Sequence, residues 1–516
     1  MERLSHRKTH SIARAAAAVA AVTLAFTLGA CSPGDTSSAA KGDSDTLVLG
    51  IMGSTKDEIQ PYGDASAISN GTLVRQLYNG LTTYDNEGGI SYDLAESMEP
   101  NETLDVWTVH VREGVTLHNG KEFTADDVVD SIGYIIDPAN AFPAATALSM
   151  IDPDGVTALD DHTVELKLTK PYGQLPHQFA SERVVMRSLE DPTDPDTAVG
   201  TGPFTLTSFT AGQEAVLERF DDYWGENANF SKLKLSFFID QQAITNALLG
   251  GQIDIAYSVP FTDVATLEGK DNIDLVVSDS ASYMTIAMNN DAEPFNDPKV
   301  REAMRLVADR DEIVSNAFGG YATAGNDFYD KKSACPTPEN AVRTQDIDRA
   351  KALLQESGNE NLSVELVTDG AFPGMAEAAQ LFAAQAAKAG ITVTVKKLDV
   401  ATFLAKWGEW PFVVAYAGGP YLQVIQTHLL EGGEENTAHF NDPELNALSE
   451  ELNTTVDEDE QCALITQMQQ IEFDRGGYIV PAYSQSITAY RSDRVSGLKE
   501  DLFGRTSIQY EGVSVK

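Results

Sequence analysis

The chain has 516 residues, 42% of them apolar and 22% charged, with a formal net charge of −42. That length provides for two to four domains of about 150 residues, each able to bury a core. The acidic excess repels phosphate backbones and anionic lipid surfaces, so nucleic-acid binding is excluded and any hold on a membrane must come from an anchor.

The first thirty residues set Arg3, Arg7, Lys8 and Arg14 before an uncharged run from Ala15 to Ala30. This is the pattern of a secretory signal peptide, and the run is shorter than the about 20 residues that a membrane span needs. It closes on Leu28-Gly29-Ala30-Cys31, which resembles a bacterial lipobox. The resemblance implies cleavage before Cys31 and a diacylglyceryl group on its sulfur, two acyl chains giving the persistent attachment that one does not. Residues 31–45 are rich in Ser, Gly, Ala and Asp and form a flexible tether.

The body begins with a buried strand over Leu47 to Ile51 and a polar loop through Gln60-Pro61-Tyr62-Gly63-Asp64. A helix from about Ala67 to Tyr78 follows, ending at the turn Asn79-Gly80. Trp107, Val109 and Val111 alternate with polar neighbours in a strand over Asp105 to Arg112, and Thr163 to Thr169 repeats the pattern. Thr124-Ala125-Asp126-Asp127 gives a helix start, with acids matching the helix dipole. Gly200-Thr201-Gly202-Pro203-Phe204 enters a hairpin that pairs Phe204 and Leu206 with Ala215 and Leu217. A β/α/β unit comes next, over Leu233 to Ile239, Gln241 to Leu249 and Ile253 to Tyr257.

Asp297-Pro298 caps a helical region with Val300, Ala303, Met304, Val307 and Ala308 on its inner face, ended by Gly319-Gly320. After an irregular stretch, Asp346 or Asp348 caps a helix burying Ala350, Leu353 and Leu354. A second β/α/β unit spans Leu362 to Thr368, Met375 to Ala389 and Ile391 to Leu398. The strand Phe412 to Tyr416 ends in Ala417-Gly418-Gly419-Pro420-Tyr421, with Trp407 and Trp410 nearby. Ligands collect at such strand ends in open α/β sheets, while a plain Gly-Pro turn is the competing reading. Helices over Pro443 to Asn453 and Glu460 to Phe473 and a return strand over Tyr478 to Tyr490 complete the chain.

Besides Cys31 there are Cys335 and Cys462, which can pair in an exported protein or stay as two buried thiols. The histidines are scattered and no zinc spacing occurs, so neither a metal nor a cofactor is expected. No phosphate-binding glycine loop, nucleophile elbow or His-Glu-x-x-His motif is present, so the chain is not expected to be an enzyme. Paired acids such as Asp126-Asp127 and Asp221-Asp222 are accounted for by helix capping and solvated surface.

Several segments together resemble the extracellular solute-binding proteins of ABC importers, family 5, the oligopeptide, dipeptide and nickel group. They are Leu77-Tyr78-Asn79-Gly80-Leu81, Arg112-Glu113-Gly114-Val115, Phe123 to Val128, Gly200 to Phe204, Phe295 to Arg310 with Val300-Arg301-Glu302-Ala303, and Ala350 to Leu354. The resemblance implies an α/β, two-lobed clam-shell of the periplasmic-binding-protein type with an extra inserted domain and mixed sheets flanked by helices. Lobe I would comprise 46–84, 186–285 and 485–516, the inserted domain 85–185 and lobe II 286–484, with hinge crossings near Tyr283 to Asn290 and Ile479 to Tyr490. It implies a lipid-anchored receptor at the extracytoplasmic face that closes on a solute and delivers it to ABC permease subunits.

Closure requires contacts from both lobes, since only differential affinity for the closed state shifts the equilibrium. The expected ligand groups are Tyr62, Asp64, Tyr78 and Asn79 on one side and Trp407, Trp410, Tyr416, Gly419 and Tyr421 on the other, with core packing the alternative for Trp407. Peptide binders of this family carry an Asp after the strand matching Phe412 to Tyr416, where it pairs with the peptide amine. Here residues 417–423 hold no acid. Peptides are the first expectation, and oligosaccharides, another small solute or a tethered sensor the alternatives.

Overall fold

The computed structural model describes residues 45–63, 68–85, 88–189, 198–329, 335–339, 343–370, 372–433, 435–500 and 510–516. The signal segment 1–30, Cys31, the tether through residue 44 and Asp64 lie outside the described residues.

Eleven strands make one sheet around two long antiparallel neighbours, Ile273–Met288 and Tyr478–Arg491. Beyond the first lie Phe412–Gly418, Ser363–Thr368 and Thr392–Lys397 in turn, these three mutually parallel. Beyond the second lie Ile255–Ala256, Thr46–Met52, Lys232–Phe238, Glu214–Arg219 and Phe204–Thr210, and Ala322–Ala324 also pairs with it. The two long strands meet in separate registers. Ile273 to Asp279 faces Gln485 to Arg491, Tyr283 to Ala287 faces Tyr478 to Tyr483, and the ladder is irregular between Asp279 and Tyr283. Such an irregularity bends and twists a strand locally.

Packing differs on the two sides of that break. Phe412, Val414 and Ile286 enter one core cluster, whereas Val413, Ala417 and Ala287 enter another on the opposite face. A strand buried on both faces needs the continuous apolar run found here. Near the other ends of the long strands, Ile273, Ile487 and Ala489 pack instead with Ile244, Leu248 and Leu267.

A separate four-stranded antiparallel sheet joins Ala95–Pro100, Val106–Val111, Thr163–Leu168 and Ile151–Asp160. Trp107, Val109 and Val111 are buried as their alternation requires, under the helix Ala125–Ile136. Two of these strands escape sequence reading: Ala95–Pro100 mixes acids with a proline, and Ile151–Asp160 buries only Ile151 and Gly155.

Helix starts follow the acids. Asp240, Asp297, Asp309, Asp346, Asp442 and Asp457 each accept a backbone N–H at the head of a helix. Asp309 also divides the helical region after Pro298 into Pro298–Leu306 and Arg310–Ala317, its own N–H and carbonyl being held by the Gln385 amide.

Arg310 forks both oxygens of buried Asp327 at 2.7 and 2.8 Å, and Arg343 Nε lies 2.7 Å from the same carboxylate. Buried Arg305 donates to the carbonyls of Phe473 and Asp474, which the end of the helix Glu458–Arg475 leaves without intrahelical partners. A Cys335–Cys462 disulfide ties the preceding loop to that helix.

Candidate functional site

The turn after the helix Ile68–Leu77 is built by close backbone approach. A Cβ at Gly200 or Gly202 would collide with the carbonyl oxygens of Leu77 and Gln76, so only glycine lets the two segments meet. Thr201, between them, donates its hydroxyl to Asn79 Oδ1 at 3.0 Å, and Trp224 Nε1 reaches the same oxygen at 3.4 Å. Asn79 Nδ2 in turn donates to Asp93 Oδ2 at 3.3 Å.

Around this hub is a cavity of about 190 Å³ whose wall includes Arg75, Tyr78, Asn79, Asp93, Tyr223 and Tyr510. Asp93 is partly buried and belongs to the wall of the cavity. Burial pushes its carboxyl up to about 6, against the Asn79 hydrogen bond and the charges of Arg75 and Arg112. Burial and the neighbouring Asp93 raise the Tyr223 phenol well above its ordinary value.

A second surface lies where Ser363–Thr368, Thr392–Lys397 and Phe412–Gly418 end on one edge of the sheet. Loop backbone groups and helix starts converge at such an edge. Phe372 stacks face to face on Tyr416, with centroids 4.0 Å apart and planes 11° from parallel, and Phe372 is 40% exposed. Burial raises the Tyr416 phenol, and the Ser282 side chain opposes this by hydrogen bonding it. Ser282 belongs to the long strand at its register break and pairs across the ladder with Gly418. Gly419, with φ at +124°, follows directly.

The structure does not bring the two sets of expected ligand residues together. Tyr78 and Asn79 line a cavity walled by residues 75–93, 180–185, 203–228 and 510–511, and none of Trp407, Trp410, Tyr416, Gly419 or Tyr421 reaches it. The close packing of Gly200 and Gly202 turns Asn79 into that cavity. Tyr62 is fully buried against Tyr134 and Phe142, in core rather than on an open face.

Tyr421 is buried as well. Its hydroxyl donates to Glu472 Oε1 at 2.5 Å, while Oε2 accepts from the Tyr478 hydroxyl at 2.6 Å and the Tyr329 N–H at 2.9 Å. Tyr421 therefore supports the loop from behind. Trp407 and Trp410 spend their indole N–H groups on Glu435 and the Phe403 carbonyl and pack against the same core. Of the expected set on this side, Tyr416 and Gly419 remain at the strand edge.

Phe372, Ser282, Glu472 and Asp93 were not anticipated. Glu472 carries a readable signal: it continues the apolar stripe of Ile465 and Met468 at helical spacing, where an acid must find partners. Phe372 and Ser282 have none, because Ser282 comes to Tyr416 through the pairing of two distant strands and Phe372 through the path of the loop after Ser363–Thr368.

The segment that follows the strand Thr163–Leu168 of the four-stranded sheet meets residues 426–455. The Gln174 amide donates to the carbonyls of Leu452 and Thr455 at 3.2 and 2.7 Å, and Gln426 donates to the Tyr172 hydroxyl at 2.8 Å. Among the described residues no group of three or more His, Cys, Asp or Glu is placed to hold a metal ion.

Residues 89–427 match the family model described as bacterial extracellular solute-binding proteins, family 5. The chain is 28% identical over 470 residues to the periplasmic oligopeptide-binding protein OppA of Escherichia coli, 84% of this chain and 86% of that one. It is 26% identical over 435 residues to the glutathione-binding protein GsiB of Pectobacterium atrosepticum, 78% and 82% respectively. The fold matches the binding protein DppA of Helicobacter pylori, solved with the peptide STSA, with a TM-score of 0.76 and 20% identity over 91% of this chain and 98% of that one. It also matches AgaA of Agrobacterium tumefaciens, solved with agropinic acid, with a TM-score of 0.77 and 24% identity over 91% and 99%.

Proposed function

Because this chain belongs to family 5 of the bacterial extracellular solute-binding proteins, we propose that it is the lipid-anchored receptor of an ABC importer for peptides, closing on its solute and passing it to a membrane permease. The coarser role, a solute-binding receptor for peptides or related solutes, comes with the family and with the peptide-binding relatives. Anchoring rests on the lipobox-like run ending at Cys31.

The observation that carries the reading is the exposed Phe372 ring stacked on Tyr416 at the shared end of three parallel strands, beside the register break of the two long strands. Aromatic faces at a strand edge supply the apolar wall that ligand pockets use, and Ser282 and loop backbone supply polar contacts. Lobe division at 46–84, 186–285 and 485–516 against 286–484 would put that break at the waist. Gln174 and Tyr172 would then meet 426–455 as a closed-state contact.

An oligosaccharide is the second reading, favoured by the absence of any acid in 417–423 for a peptide amine, which would be left as a costly buried charge. Mass spectrometry of solute retained by the purified protein, followed by thermal-shift titration with peptides of two to eight residues and with oligosaccharides, separates the two. Stabilisation by sugars and by no peptide would overturn the first reading. Retention of a Cys31→Ser variant in the membrane fraction would overturn the anchor.

A further inference from the structure

We propose that the cavity beside Asn79 is a second binding site, separate from the strand edge, for a small organic cation with a primary ammonium group held by the Asp93 carboxylate. Asp93, a residue of the cavity wall, accepts the Asn79 amide at Oδ2, and its Oδ1 has no hydrogen-bond partner among the described residues. A partly buried carboxylate with one neutral donor is under-compensated, and an ammonium supplies both charge and donors.

The cations already present are engaged elsewhere. Arg75 pairs with Glu182 at 3.1 Å, and Arg112 donates to the Asp93 main-chain oxygen at 2.8 Å with its guanidinium over the Trp224 ring. Glu226 and Glu511 add acids to the wall, so its balance favours a cation. The buried Tyr510 hydroxyl, also of the wall, has no partner among the described residues and offers a further polar contact. A cavity of about 190 Å³ suits a guest of benzene size or a little more, since about 150 Å³ holds benzene. The single unpartnered carboxylate oxygen and the phenol hydroxyl suit the N–H donors of an organic ammonium.

Isothermal titration of the purified protein with 1,4-diaminobutane at pH 7.5, with 1,4-butanediol as the uncharged control, tests this. Saturable binding of the diamine alone, weakened at least tenfold in Asp93→Asn and unchanged in Phe372→Ala, is the expected result. Equal affinity in Asp93→Asn, no diamine binding, or loss of diamine binding in Phe372→Ala would overturn it. A urea melt of Asp93→Asn confirms that the variant is folded. The strand-edge reading fails by a different result, absence of peptide or sugar binding, which leaves the diamine titration unaffected.

Discussion

Replacing Asp93 by Asn should stabilise the protein at neutral pH, which is unusual for a hydrogen-bonded polar position. The carboxyl titrates at about 6 in the folded chain against 3.8 when unperturbed, so the folded state binds the proton more tightly than the unfolded one. Stability therefore falls as pH rises through the window from about 4 to 6, and the ionised form is carried at a cost above it. At 1.36 kcal/mol per pKa unit the rise from 3.8 to about 6 corresponds to about 3 kcal/mol, and the partial exposure of Asp93 brings the expected gain nearer 2 kcal/mol. Asparagine keeps an oxygen for the Asn79 amide and carries no charge. Urea midpoints of the two proteins measured from pH 3.8 to 7.5 should converge at the acid end and separate steadily up to about pH 6. A gap independent of pH, or a variant less stable at pH 7.5, would refute the assignment of the cost to Asp93 ionisation.

Phe372→Ala should cost under about 1 kcal/mol in stability because the ring is 40% exposed. It should nonetheless weaken solute affinity about tenfold to a hundredfold by titration calorimetry, as loss of an aromatic contact does. Gln174→Ala removes two hydrogen bonds to the carbonyls of Leu452 and Thr455, worth about 1 kcal/mol each. Solute affinity should then fall by about tenfold or more, and an unchanged affinity would show that these contacts do not belong to the bound state. Reducing the disulfide, or replacing both Cys335 and Cys462 by Ser, opens a loop with a separation of 127 residues and should lower stability by about 4 to 5 kcal/mol, read from denaturation with and without reductant. His177 and His428 are each lowered to about 4 by burial, so the unfolded state takes up their protons first and folded stability falls as pH drops from 6.5 toward 4. His428→Gln should flatten the acid limb of the stability profile.

Periodicity and punctuation made most elements legible. Gly390 closes one helix, Asp346 opens another, and the run from Phe412 to Val414 is apolar throughout because both faces are covered. The strand Phe412–Gly418 runs two residues beyond the expected end at Tyr416, since pairing with Ser282 and Tyr283 continues through Ala417 and Gly418. The turn at Asn79 was legible as a special position but not its direction. That direction depends on Gly200 and Gly202, more than a hundred residues away in sequence, meeting the carbonyls of Gln76 and Leu77. Tyr421 was misplaced for a related reason: an aromatic residue beside a Gly-Pro turn can face out or in, and Glu472 draws its hydroxyl inward.

The abundance of acid hides the few carboxylates that matter, and partner type separates them. Cap residues such as Asp240 and Asp457 meet backbone N–H groups at exposed helix starts. Asp327 and Asp254 meet arginines, Arg310 and Arg343 for the first, Arg491 and Arg494 for the second. Glu472 meets two phenols and an N–H at full burial, an arrangement that orders four segments of chain but leaves little room for a ligand. Asp93 differs from all of these in having one neutral donor and access to a cavity. An under-partnered carboxylate is retained only where something offsets its cost, and in this position the available compensation is a molecule from outside.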